Sequence, residues 1–227
     1  MRPVERGADP GPFTDYKHAA PHLRLRLGDY CSYCERQIET HLAVEHLRPK
    51  SHDPGLRNTW SNFLLACVNC NSCKCDTPIN LQEYLWPDVD NTMLAFQYEP
   101  GGIITASVGL SAGLVGKAQE TIRLLGLDMY PGNPGREPSI SDQRWLRRQQ
   151  AWQKAERYRT VLAQRDCEEV RALIVDVATG RGEFSIWWAA FHGDADMRRR
   201  LREAFVGTAH ACFDGTESLV ARNGGQL

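Results

Sequence analysis

Two cysteine pairs, Cys31-x-x-Cys34 and Cys67-x-x-Cys70, bracket the part of the chain whose side chains could do chemistry. Zinc takes four soft ligands at tetrahedral corners, and each C-x-x-C turn supplies two thiolates, so the four are expected to hold one structural zinc ion. Cys73 and Cys75 follow closely, and either could stand in for Cys70. Between the pairs lies Glu45-His46, ending the apolar run Leu42-Ala43-Val44 shortly before Pro49. Asn62 follows in WSNF, and Asn71 and Lys74 come directly after the second pair. A histidine of near-neutral pKa can take a proton from water. A hard cation, magnesium or manganese, suits carboxylate and amide oxygens, whereas zinc goes to the thiolates. An activated water and a cation that neutralises phosphoryl charge are what hydrolysis of a phosphodiester needs. His41 and His52 are nearby, and His52, beyond Pro49, is the second choice for the base.

With these residues in place, EHLRPKS…WSNFLLACVNCNSCK resembles the ββα-metal fold of the HNH endonucleases, in the subgroup with two zinc knuckles. The resemblance covers Tyr30 to about Lys74. It implies that His46 is the general base and that Asn62 braces the loop between strand and helix. It further implies that Asn71 is a ligand of the catalytic metal and that Glu45, often Asp in relatives, is its acidic partner. The zinc would hold strand and helix together, because so small a head has too little core of its own.

The elements that must position these groups are legible in outline. Residues 42–46 read as a strand stopped by Pro49, and Cys70, Asn71 and Lys74 open a short helix. Residues 1–15, rich in Pro and Gly, are expected to form a flexible arm, and residues 16–27 a helix bent near Pro21. MLAFQY and GIITASV suggest a hairpin after the zinc segment. The pattern then turns helical, with a helix over 115–125 stopped near Gly126 and a long helix opened by Ser141, carrying Trp145, Trp152, Ala155 and Leu162 on one face. A third helix carries Val170, Leu173, Ile174 and Val177 with Gly180 as its cap, and a last one ends at Gly207. Phe184, Trp187, Trp188, Phe191, Phe205 and Phe213 are assigned to the core of this body. The expected fold class is α+β: a zinc-stabilised ββα-metal head over residues 16–80, followed by a mostly α-helical body over 81–227.

Composition limits the remaining choices. A net charge of −1 over 227 residues excludes a basic coat, so any polyanion site must be a local patch. Residues 17–74 carry eight Lys or Arg against five Asp or Glu. Arg48, Lys50, Arg57 and Lys74, with Arg24 and Arg26, are the candidates for a phosphate path. The clusters Arg144/Arg147/Arg148 and Arg198/Arg199/Arg200/Arg202 read as solvated helix faces. Six of the eight cysteines fall within residues 31–75, which favours metal over disulfides. No apolar run could span a bilayer, and MRPVERGADPGPF lacks the apolar core of a signal peptide, which points to the cytoplasm. Beyond the head, the layout is similar to the HNH subunit of Septu-type anti-phage defence systems, which act beside an ABC-like or AAA-like ATPase. That resemblance implies bacterial defence with the ATPase as sensor or regulator, and double-stranded DNA is the expected substrate. An RNA- or tRNA-directed nuclease and a catalytically silent zinc module remain the alternatives.

Overall fold

In the computed structural model, which covers residues 1–227, a 3-10 turn over Tyr16–Ala19 leads into helix α1 (Ala20–Leu27). Pro21 lies in the first turn of α1, where its missing N–H has no helical partner to lose, so it starts the helix instead of bending it. Strands β1 (Ala43–His46) and β2 (Phe63–Ala66) pair antiparallel, with His46 opposite Phe63 and Glu45 opposite Leu64. Every residue of β2 is buried, as its unbroken apolar run requires. Helix α2 (Val68–Lys74) follows at once, and its N-cap is a knuckle residue: the Cys67 side chain accepts from the Cys70 N–H.

The rest of the chain contributes a short helix α3 (Thr92–Ala95) and a hairpin of β3 (Phe96–Glu99) and β4 (Ile103–Ala106). Five helices come after it: α4 (Ala112–Leu124), α5 (Arg144–Gln164), α6 (Glu168–Arg181), α7 (Phe184–Ala190) and α8 (Ala195–Ala204). A small head and a mainly helical remainder give the expected α+β class.

Several details differ from expectation. The first residues are seated in the fold: Met1 and Val4 are buried, and the Arg2 guanidinium donates to Phe205 O, Leu27 O and Thr208 Oγ1 at 2.9–3.1 Å. Helix α5 begins at Arg144 behind Gln143, not Ser141, and its buried stripe is Arg144, Arg148, Ala151, Ala155 and Leu162. Trp145 and Trp152 are only half-buried. Helix α6 ends at Gly182, not Gly180. A Cβ on Gly182 would lie 2.3 Å from Glu35 O, because this turn packs against the backbone just beyond the first knuckle.

Two apolar clusters hold the molecule. One joins the head, including Tyr33, Phe63, Leu64 and Leu65, to Leu85, Trp86, Phe96, Ile104, Ile122 and Leu127. The other gathers all six aromatics assigned to the body, together with Tyr30 from the head. The first cluster thus draws on residues from both sides of position 80.

Candidate active site and zinc centre

The four knuckle sulfurs meet as the spacing requires. The Sγ atoms of Cys31, Cys34, Cys67 and Cys70 lie within 4.8 Å of one another, and all four residues are buried. A zinc–sulfur bond of about 2.3 Å makes a tetrahedral edge of about 3.8 Å, and Cys34 Sγ stands 3.7 Å from Cys67 Sγ. The donors around the cluster suit thiolates: Cys67 N donates to Cys31 Sγ at 3.3 Å and Cys70 N to Cys67 Sγ at 3.4 Å. The four side chains therefore fit a structural zinc ion. Cys73 is only partly buried, Cys75 is exposed, and neither belongs to the group, so Cys70 is the fourth ligand position.

One charged partner of this cluster comes from the helical body. The buried Arg144 guanidinium donates from Nη1 to Cys70 Sγ at 3.2 Å and to Leu125 O at 2.7 Å, and from Nη2 to Cys73 Sγ at 3.4 Å. Asp142 balances it through contacts of 2.6–3.1 Å. Nothing in the local pattern separates the buried Arg144 and Arg148 from the exposed Arg147 between them. Glu35, beside the first knuckle, is a second hub: its buried carboxylate accepts from Ser185 N, Ser185 Oγ and Tyr98 Oη at 2.7–2.8 Å.

A cleft of about 530 Å³ opens beside β1 and α2, and Glu45, His46, Asn71 and Lys50 all line it. His46 ends β1, where its ring packs edge-on against Phe63 and Tyr16, with centroids 5.2 and 4.8 Å away. Its Nε2 lies 2.8 Å from Arg57 O. A carbonyl can only accept, so Nε2 carries the proton and Nδ1 is left as the basic nitrogen. Burial, together with the nearby cations Lys50, Lys74 and Arg57, lowers the His46 pKa below the ordinary value, against the opposing pull of its bond to Arg57 O. The ring is therefore neutral at neutral pH.

Asn62 is buried and ties down the loop that carries the end of β1. Its Oδ1 accepts from Arg48 N at 2.8 Å, and its Nδ2 donates to Arg48 O at 2.9 Å and Leu56 O at 3.4 Å. The braced loop joins β1 to β2, one element earlier than a loop between strand and helix. Asn71 lies in α2 one position past the knuckle, with its side chain on the cleft.

Lys74 corrects the phosphate path. It is buried, with Nζ donating to His46 O at 2.7 Å and lying 2.8 Å from Glu45 Oε1, so it is not offered to a substrate. Glu45 Oε1 remains a buried oxygen without an aligned hydrogen bond, despite this close ion pair. Burial pushes the Glu45 pKa up, and Lys74 pulls it back. Arg48 is clamped by Asp53 at 2.6 Å, and Arg24 by Asp29 at 2.6 Å, while Arg26 is spent on backbone carbonyls and the Trp60 ring. Lys50 stays on the rim, over the Tyr16 ring, and Arg57 is exposed. Tyr16 and Lys17 also line the cleft, and no motif marked them because they arrive from far upstream. His52 is exposed and does not line the cleft.

Residues 31–77 match the family model described as HNH endonuclease, so the chain carries an HNH endonuclease domain, which supports a nuclease. A search of curated proteins finds no match. No helix is long and apolar enough to cross a membrane.

Proposed function

We propose that the protein is a metal-dependent endonuclease whose cleft hydrolyses a phosphodiester of DNA. The observation that carries this reading is the convergence of His46, Glu45 and Asn71 on one cleft at the junction of β1 and α2, inside the matched domain. His46 Nδ1 takes the proton from a water whose oxygen attacks phosphorus, while Nε2–H stays on Arg57 O and fixes the tautomer. A phosphorus–oxygen bond forms to water, the opposite one breaks, and the leaving oxygen ends protonated. Asn62 keeps the His46 strand end and its loop in register.

The residues present fit a hard divalent cation: Asn71, with an amide oxygen, and Glu45, with a carboxylate, both line the cleft and are hard donors. When bound, magnesium or manganese would neutralise phosphoryl charge and stabilise the leaving oxygen. Lys74, which holds Glu45 in its absence, would have to share that carboxylate. Lys50 and Lys17 are the cations that line the cleft and stay open to phosphates; Arg57 is exposed but off the lining, and Arg48 contributes only if its Asp53 clamp opens.

The resemblance to Septu-type systems extends this to a bacterial cytoplasmic defence effector that cuts double-stranded DNA and docks an ABC- or AAA-like ATPase through its helical body. That extension rests on layout. Incubation with supercoiled plasmid and with total RNA, each with magnesium or manganese and with a chelator, tests the reading. Metal-dependent nicking or linearisation of the plasmid is the expected result. Degradation of RNA alone would favour an RNA-directed nuclease, and no cleavage of either would favour a silent zinc module. Co-purification with an ATPase encoded next to this chain tests the partner.

A further inference from the structure

Two groups of arginines are taken up by the fold. Arg171, Arg199, Arg200 and Arg202 all sit on carboxylates at 2.5–3.2 Å, and Arg144 and Arg148 are buried. Arg36 and Arg147 belong to neither group. Both line a polar recess of about 440 Å³ with His41, and none of the three makes an ion pair. Arg36 spends Nη2 on Asn69 Oδ1 at 2.8 Å, while its Nε is buried without a partner. Arg147 is exposed on the first turns of α5. The one carboxylate on the lining is the exposed Glu39.

This recess adjoins the cleft. Residues 36–41 wall the recess, and the next residues of the same segment, 42–46, wall the cleft. Helix α2 touches both: Val68 faces the recess, and Asn71 and Cys75, three and seven positions on along one helical stripe, face the cleft. Five residues of extended chain between His41 and His46 span at most ~16 Å, a few nucleotides of substrate at most.

We propose that the recess of Arg36, His41 and Arg147 binds a backbone phosphate of the same nucleic-acid strand, a few nucleotides from the one cleaved. It rests on the nuclease reading for its ligand. The consequence is that the substrate is a polynucleotide extending past the scissile phosphate on the recess side, and that α5 of the body holds it directly. Two guanidiniums that form no ion pair with a carboxylate, beside a histidine in a recess with little apolar lining, suit a phosphate diester better than a hydrophobic ligand.

The test compares Arg147→Gln with the full-length wild type on two probes: a labelled oligonucleotide, and bis(p-nitrophenyl) phosphate, a diester with no flanking phosphates. Arg147 is exposed and its side chain makes no hydrogen bond or ion pair, so the variant should fold; melting temperature and zinc content check this. For the oligonucleotide, kcat/KM relative to that for the small diester should fall roughly ten-fold, the loss expected for one charge-assisted contact, and the change should sit in KM. The slope of log binding constant against log salt should flatten by about one. An unchanged ratio and an unchanged slope would overturn the proposal. If the wild type cleaves neither probe, the nuclease reading fails, and the salt slope for oligonucleotide binding still decides the recess by itself.

Discussion

At the residue scale, the site depends on buried charges that hold one another in place. Lys74 joins α2 to the end of β1 through Glu45 and His46 O. Lys74→Met should leave the Glu45 carboxylate buried and unpaired, lowering stability by about 3–5 kcal/mol in urea unfolding. The double variant Glu45→Gln/Lys74→Met should recover most of that loss, and failure to recover would show that the pair is not the cause. Glu183 makes the opposite kind of prediction. Burial pushes its pKa up to about 7 from an ordinary 4.5, with Arg181, Arg147 and Arg148 opposing and Glu35 adding to the rise. A carboxyl that holds its proton more tightly folded than unfolded contributes stability that is fully present below about pH 4.5 and lost as pH rises through about 7. Glu183→Gln should therefore melt higher than the wild type at pH 8 and show a smaller advantage at pH 5. A gap that does not widen with pH would contradict the assignment.

At the scale of elements, the zinc knuckles bind the helical body to the head. Arg144, at the start of α5, reaches Cys70 and the backbone beyond α4. Arg144→Leu should speed extraction of zinc by a chromogenic chelator several-fold and lower the melting temperature, since a group that hydrogen-bonds a metal ligand typically contributes about 10–100-fold in metal affinity. Unchanged zinc release would remove Arg144 from that role. The head itself was legible in the sequence because its signals are local: cysteine spacing, an apolar run ending in Glu-His, and a short helix at the second knuckle, although that helix starts at Val68 behind the Cys67 cap and not at Cys70. What was missed depends on distant contacts. The Pro/Gly composition of residues 1–15 gives no hint that Arg2 bonds carbonyls of residues 27 and 205. Lys74 looked like a phosphate ligand because lysines are rarely buried without a partner, and its partner Glu45 lies 29 positions earlier. In α5, Arg144 and Arg148 occupy core positions where apolar residues are expected, so the apolar pattern finds the buried Ala155 and Leu162 but adds the half-buried Trp145 and Trp152 to them.

At the scale of the whole molecule, the head does not stand alone. Its apolar cluster continues to Leu127, and Tyr30 belongs to the second cluster. A fragment ending at Asn80 should lack a cooperative thermal transition even with zinc added, whereas the full chain melts cooperatively; a fragment that melts cooperatively would show that the head is an independent domain. The same continuity places the His46 cleft and the Arg36–Arg147 recess on one body, so that a substrate bound at β1 and α2 in the proposed reaction would also be within reach of α5. All of this serves the claim that His46 is the base of a nuclease. The most direct measurement is the metal-dependent cleavage rate of His46→Ala beside the wild type, at equal zinc content and melting temperature. The rate should fall by about 10²–10⁴ while zinc and fold are retained, because the imidazole supplies proton transfer and not the zinc site. A variant that keeps the wild-type rate, with His52→Ala losing it instead, would contradict the account.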